Sequence, residues 1–215
     1  MDWERARYLM VEQQIRPWNV TDQKVLQRFL DVKREDFVPA DKRELALADI
    51  ELPVGDGARM LAPKIEARFL QEAAIKPTDR VLVVGATTGY LVALAAGLGQ
   101  EVYGIEQNAS LVQFANAALT KAGVKNAQVQ QGSAADGQAG LAPFDVILVS
   151  GSVADVPAPL LTQLGASGRL ILVTGAEPSM SACRVTKSPD GVSSTQKLFE
   201  YNLPALLPET VAFAF

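Results

Sequence analysis

The apolar positions of the chain follow two rhythms. From Arg80 onward, short Val/Ile/Leu runs alternate with stretches of helical spacing: "RVLVVG", "GYLVALAAGL", "QEVYGIE", "NASLVQFANAALTKAG", "NAQVQQG", "FDVILVSG", "VPAPLLTQLGASG" and "RLILVTG". Compact β-branched runs that end at Gly predict buried strands. The segments between them predict helices, one of them capped by Asn108 and stopped by Gly123. Strand and helix in regular alternation predict an α/β fold with a doubly wound, mostly parallel sheet and helices on both faces. The closing segment "SACRVTKSPDGVSSTQKLFEYNLPAL" alternates polar and apolar residues on either side of Pro189-Asp190-Gly191, which predicts a C-terminal antiparallel hairpin.

The first part of the chain has another texture. "DWERARYLMVEQQI" carries apolar residues near helical spacing up to Pro17, and "TDQKVLQRFLDV" predicts a helix with Thr21 as N-cap and Val25, Leu26, Phe29 and Leu30 on one face. A Pro/Gly loop, "ELPVGDGARML", then leads into a helix with Pro63 in its first turn and Ile65, Phe69, Leu70 and Ala73 turned inward. At 215 residues the expectation is one domain, with 1–78 a helical extension and loop and 79–215 the main sheet.

Composition removes several classes of function. A net charge of −4, with Lys and Arg scattered rather than striped, argues against nucleic-acid binding. The absence of histidine excludes Ser-His-Asp and Cys-His relays and every His-ligated metal site. A lone Cys183 forms no intrachain disulfide and completes no paired-cysteine metal motif, so no metal is expected. No run reaches the roughly 18 apolar residues a membrane span requires, and the expectation is a cytoplasmic protein without a membrane partner.

The chemistry concentrates at "VVGATTGY". In a doubly wound sheet the first strand-to-helix turn faces the ligand crevice, and Gly85 and Gly89 allow a tight turn with close approach of a ligand to backbone. Glu106 ends the next strand about 20 residues further on, where a carboxylate can accept both hydroxyls of a ribose. On the loop alone, a plain turn with a solvated acid fits as well as a cofactor site; loop, acid and strand order together favour the cofactor. A dinucleotide G-x-G-x-x-G is broken by Thr87 and Tyr90, whereas Gly85 and Gly89 fit the G-x-G-x-G loop of S-adenosylmethionine enzymes, with Thr87 at its middle glycine.

Most of the chain resembles the protein-L-isoaspartate O-methyltransferases. "MVEQQIRPWNV", "REDFVP" and "LPVGDG" are similar to that family's amino-terminal segments, and "VLVVGATTGY" to its V-L-E-I-G-x-G-x-G-Y. "APFDVILVSGSVADVP" with "QLGASGRLILVTG" resembles its later strands, and "LFEYNLPAL" its closing F-V-P-L strand. The resemblance implies S-adenosyl-L-methionine held by Gly85, Ala86, Thr87, Thr88 and Gly89, with Glu106 and its neighbour Gln107 at the ribose and Ser133 near the adenine. It also implies methyl transfer to an isoaspartyl (or D-aspartyl) carboxylate of a damaged protein or peptide. Such a carboxylate has a pKa near ~4 and is already a nucleophile at neutral pH, in keeping with a chain that lacks histidine.

The chain departs from the family at five places: Val83 replaces an acid, Thr87 a glycine, Ser133 an aspartate, and in "ARMLAPK" Arg59 replaces a threonine and Leu61 the serine tied to the methyl acceptor. No catalytic residue is assigned. Arg59 and Lys64 are candidates for an acceptor carboxylate, although solvated charge is the commoner role. Alternatives are a family methyltransferase with another acceptor, or a cofactor-binding relative without catalysis. Asp136 fits a turn, Asp145 a strand cap, Trp3 and Trp18 packing anchors, and Cys183 an inert thiol. The oligomeric state is not specified by these patterns.

Overall fold

A computed structural model describes residues 2–206; the end of the expected sheet segment, 207–215, lies outside them. The elements are α1 (Trp3–Met10), α2 (Gln23–Asp31), β1 (Leu52–Gly55), β2 (Ala58–Met60), α3 (Pro63–Ala73), β3 (Arg80–Val84), α4 (Tyr90–Ala96), β4 (Glu101–Glu106), α5 (Ala109–Lys121), β5 (Ala127–Gln131), β6 (Phe144–Val153), α6 (Ala158–Gln163), β7 (Leu164–Ala176), β8 (Ser179–Lys187) and β9 (Ser193–Glu200).

Seven strands form one sheet in the order β5-β4-β3-β6-β7-β8-β9. β3 to β7 are parallel, and β8 runs antiparallel to both β7 and β9. The expected doubly wound sheet and closing hairpin are both present, with Gly191 at φ +88° in the turn. Because β4 and β6 flank β3 on opposite sides, the strand order reverses at β3, which opens a crevice beyond its carboxyl end. Alternation along β3 sends Val81 and Val83 into the core shared with α1–α5, and Leu82 and Val84 into a second core with Leu160 of α6. Helical cover is therefore unequal on the two faces.

Local corrections have physical causes. The cap of α2 is Asp22, not Thr21: its carboxylate accepts the Lys24 amide at 2.8 Å, the stronger N-terminal partner for a helix dipole. The Pro/Gly loop folds as a small antiparallel hairpin, β1–β2, whose strands are too short to show a period. The expected helix "VPAPLLTQLGASG" holds helical form only over Ala158–Gln163, and pairing with β6 begins at Leu164. The amino-terminal turn is bolted to α3 by Gln71, which accepts the Thr21 amide at 2.7 Å and donates to Asn19 O at 2.9 Å. Asp145 accepts the Arg80 amide at 2.8 Å and joins the starts of β3 and β6.

Beneath the helices lie two charge pairs, Arg7–Glu35 and Arg34–Glu66, all four side chains buried. Burial pushes the Glu66 carboxyl up to about 7, against the opposing pull of Arg34. A folded pKa above the ordinary carboxylate value of 4.5 means that the native state holds this proton more tightly than the unfolded chain. The resulting contribution to stability is complete below about pH 4.5 and declines as pH rises through about 7. Glu66→Gln should therefore flatten the fall in unfolding free energy between pH 5 and pH 8 by an amount on the order of 2–3 kcal/mol. Parallel denaturation curves for the two proteins across that range would show instead that Glu66 does not titrate there.

Candidate cofactor and acceptor cleft

Beyond the carboxyl ends of β3, β4 and β6 lies a cleft of about 570 Å³, a size within the range of small-molecule sites. Three walls meet there. One is the β3–α4 loop with the end of β4, contributing Gly85, Thr87, Ile105, Glu106, Gln107 and Asn108; the second is the β1–β2 hairpin with Arg59, Met60 and Leu61; the third is Leu203–Leu206.

The first wall is fixed by backbone. Gly85 N and Ala86 N both donate to Ile105 O at 2.9 Å, and Thr87 N donates to a Glu106 carboxylate oxygen at 2.9 Å. The other Glu106 oxygen accepts the Asn108 amide at 3.0 Å. Glu106 is thus a buried acid that already orders two loops and keeps further lone pairs for hydroxyl donors. A Cβ on Gly85 would collide with Ser150 Oγ, which donates to Gly85 O, and would lie 2.6 Å from Leu206 Cδ1; with φ +78° this position demands glycine. Thr87 is held at φ +47°, a conformation that a β-branched residue occupies only under strain.

The second wall is tethered from several sides. Asp56 in the hairpin turn accepts from Asn108 Nδ2 at 2.5 Å, so the α5 cap also holds the hairpin. Glu51 accepts from Tyr201 Oη at 2.9 Å, and burial together with the Glu51 charge raises the Tyr201 pKa. The Leu61 carbonyl accepts from Arg34 at 2.7 Å. In the third wall, Ser152 N donates to Pro204 O at 3.0 Å and Leu206 N to Ser152 O at 2.9 Å, extending the end of β6.

Of the residues singled out from sequence, Gly85, Thr87, Glu106, Gln107, Arg59 and Leu61 line this cleft. Ala86, Thr88 and Gly89 lie buried behind it as the body of the turn, and Gly89, at φ +85°, opens α4. Ser133 stands outside the lining, accepting the Ala135 amide at 3.2 Å, while its neighbour Ala134 faces the cleft. Lys64 is directed elsewhere: its Nζ pairs with Asp49 at 2.8 Å and lies 4.6 Å from the Trp18 ring centroid. Trp18 packs edge-on to Phe199 and Tyr201, as an anchor does. Ser150, within β6, Leu206 and the link from Asn108 to Asp56 carry no motif that marks them in the sequence.

A glycine turn at the reversal point of a parallel sheet, an acid at the end of the adjoining strand and a hairpin facing both define a Rossmann-like methyltransferase arrangement. A model of the protein-L-isoaspartate(D-aspartate) O-methyltransferase family matches residues 5–203. The chain is 38% identical over 195 residues to the protein-L-isoaspartate O-methyltransferase of Koribacter versatilis, covering 91% of this chain and 86% of that one. Against the enzyme of the same name from Roseiflexus castenholzii the identity is 35% over 207 residues, covering 96% and 94%. Among solved structures, a putative protein-L-isoaspartate O-methyltransferase from Plasmodium falciparum in complex with S-adenosyl-L-homocysteine superposes with a TM-score of 0.79 at 21% identity, covering 92% of this chain and 96% of that one. The chain belongs to the protein-L-isoaspartate O-methyltransferase family.

The two left-handed positions in the turn should respond differently. Gly85→Ala is expected to cost about 2 kcal/mol or more, from a forced left-handed alanine and the collision with Ser150. Thr87→Gly exchanges about 1–2 kcal/mol of strain for about 1 kcal/mol of added chain entropy and should leave stability unchanged or slightly higher. Urea denaturation decides the pair, and a loss at Thr87→Gly equal to that at Gly85→Ala would show that Thr87 makes contacts worth more than its strain.

Proposed function

We propose that this chain transfers a methyl group from S-adenosylmethionine to the free carboxylate of an L-isoaspartyl (or D-aspartyl) residue in a damaged protein or peptide. The observation that carries the reading is the meeting of the Glu106 carboxylate and the Arg59–Leu61 hairpin across one cleft. The site fits this cofactor: a buried acid with spare lone pairs suits a ribose diol, and Gly85 and Thr87 present backbone at the mouth of the turn. When bound, S-adenosylmethionine supplies a sulfonium-activated methyl.

The rest falls to the residues of the chain. Glu106 would hold the ribose, with Gln107 beside it, and Gly85 and Thr87 would meet the cofactor at the mouth of the turn. The hairpin and Leu203–Leu206 hold the acceptor in line and exclude water. An acceptor carboxylate is anionic at neutral pH, so no proton has to be removed and no imidazole is needed. Catalysis then rests on approach and alignment, an effect worth up to roughly 7–11 kcal/mol in favourable cases. In this reading residues 1–78 and 79–215 act as one methyltransferase domain. No helix among the described residues is long and apolar enough to cross a membrane.

Leu61 and Arg59 favour a second reading in which the family chemistry is kept and the acceptor differs. Leu61 is apolar and nearly buried where the family has a hydroxyl, and the Arg59 guanidinium is exposed at the cleft edge, 3.5 Å from Glu51 O. A lost hydrogen bond to a charged acceptor is worth about 1.5–3 kcal/mol, so methylation of isoaspartyl peptides should run about 10- to 100-fold below that of a relative that keeps the serine. Leu61→Ser, alone and with Arg59→Thr, should recover rate on an isoaspartyl peptide over its aspartyl control. If neither variant gains while both still bind cofactor, the acceptor is of another kind, with Arg59 placed to hold it.

Cofactor recognition has its own test. Glu106→Ala removes both acceptors offered to the ribose and should weaken S-adenosylhomocysteine by about 30- to 1000-fold, equivalent to about 2–4 kcal/mol, as read by calorimetry. An unchanged dissociation constant in the folded variant would leave Glu106 as a loop anchor only.

A further inference from the structure

We infer that Arg34 is a positioning residue that sets where the acceptor hairpin stands relative to the cofactor turn. Arg34 is completely buried and does not line the cleft. Nη1 pairs with Glu66 in the first turn of α3, and Nη2 donates to the Leu61 carbonyl at 2.7 Å. The guanidinium carbon lies 4.7 Å from the centroid of the Tyr90 ring. Leu61 belongs to the acceptor wall, and Tyr90 directly follows Gly89 of the turn. One rigid planar group therefore touches both halves of the site from below.

Its three contacts constrain one another. Tyr90 is held edgewise by Phe37 and Phe29, with ring centroids 5.6 and 6.2 Å away, so the face on which Arg34 lies is itself fixed. Glu66 pairs with the buried guanidinium and sits on α3, immediately after the loop whose carbonyl Arg34 holds. A guanidinium offers separate N–H groups in one plane to a carboxylate and a carbonyl while presenting a flat face to a ring. An ammonium carries the charge without that geometry, so lysine at this position keeps the pairing with Glu66 and loses control of Leu61. Reaction rates depend steeply on such control, since a displacement of about 1 Å remote from the chemistry can cost about 100-fold.

The test compares Arg34→Lys with the native chain by three readouts: hydrogen exchange of backbone amides, calorimetry with S-adenosylhomocysteine, and kcat and KM on an isoaspartyl peptide. The expected result is exchange over residues 52–61 accelerated about tenfold or more, with β3, β4 and β6 still protected, as for local rather than global opening. The dissociation constant should stay within about threefold, and kcat should fall about tenfold or more at saturating peptide and cofactor. The pair Arg34→Met with Glu66→Leu, which leaves no unpaired charge, should reproduce the same pattern and carries the test if the lysine variant does not fold. Unchanged exchange in the hairpin of a folded variant overturns the inference, and so does exchange that rises equally across the whole sheet, which marks a merely structural residue. The kinetic arm rests on the methyl-transfer reading. If the native protein does not methylate the peptide, that reading fails on its own, and the exchange data still decide the role of Arg34.

Discussion

The cleft exists because the turn after β3 is folded onto β4 rather than left free. Ile105 O takes two consecutive amides of that turn, Gly85 and Ala86, and Glu106 takes a third from Thr87. Both depend on the parallel register in which Val84 faces Ile105. A slip of one residue would carry Glu106 to the other face of the sheet and leave the amides of Gly85 and Ala86 without Ile105 O. Gly104 contributes to the same closeness: a Cβ there would stand 2.9 Å from Ala86 Cβ, so the turn could not settle against β4. Glu106, the glycine turn and the sheet register are in this sense one feature.

What could be read from the sequence follows from how directly each element depends on its own residues. Parallel strands buried on both faces must be apolar throughout, so "RVLVV" and "FDVILV" declare themselves, and Glu106 was found because it breaks such a run at a predictable distance from the turn. The β1–β2 hairpin was hidden because Leu52–Gly55 and Ala58–Met60 are shorter than a recognisable alternation, and its hold comes from distant partners in Asn108 and Tyr201. In sequence Lys64 flanks the altered loop opposite Arg59, which makes it a candidate for the acceptor. On α3 its side chain points instead to Asp49 and Trp18. Arg34 and Glu66 were invisible as a pair, since charged residues 32 apart carry no pattern that announces burial.

The substitutions within the site are of two kinds. Val83 replaces a family acid but lies inside the sheet, fully buried in β3, where an apolar side chain is the residue that packing favours. Leu61 and Arg59 stand in the hairpin wall of the cleft, whose backbone is held independently of their side chains: the Leu61 carbonyl accepts from Arg34 and Met60 pairs with Leu52. What these two residues set is side-chain chemistry on a frame held by backbone bonds, and the Glu106 side of the cleft does not depend on them.

The two sides of the cleft differ in how firmly they are made. The Glu106 side consists of strand ends and backbone hydrogen bonds inside the seven-stranded sheet, whereas the hairpin side has only two short strands, a unit that does not stand alone in water. Its place depends on tethers. Asp56–Asn108 lies at the surface, where water and salt compete for both partners, and Glu51–Tyr201 is only partly buried. The bond from Arg34 to Leu61 O is the one made out of contact with solvent, where a charge-assisted hydrogen bond keeps its strength and a broken one leaves a buried cation short of a partner. Breathing of the hairpin at its exposed turn is therefore cheap, while displacement at its base is not.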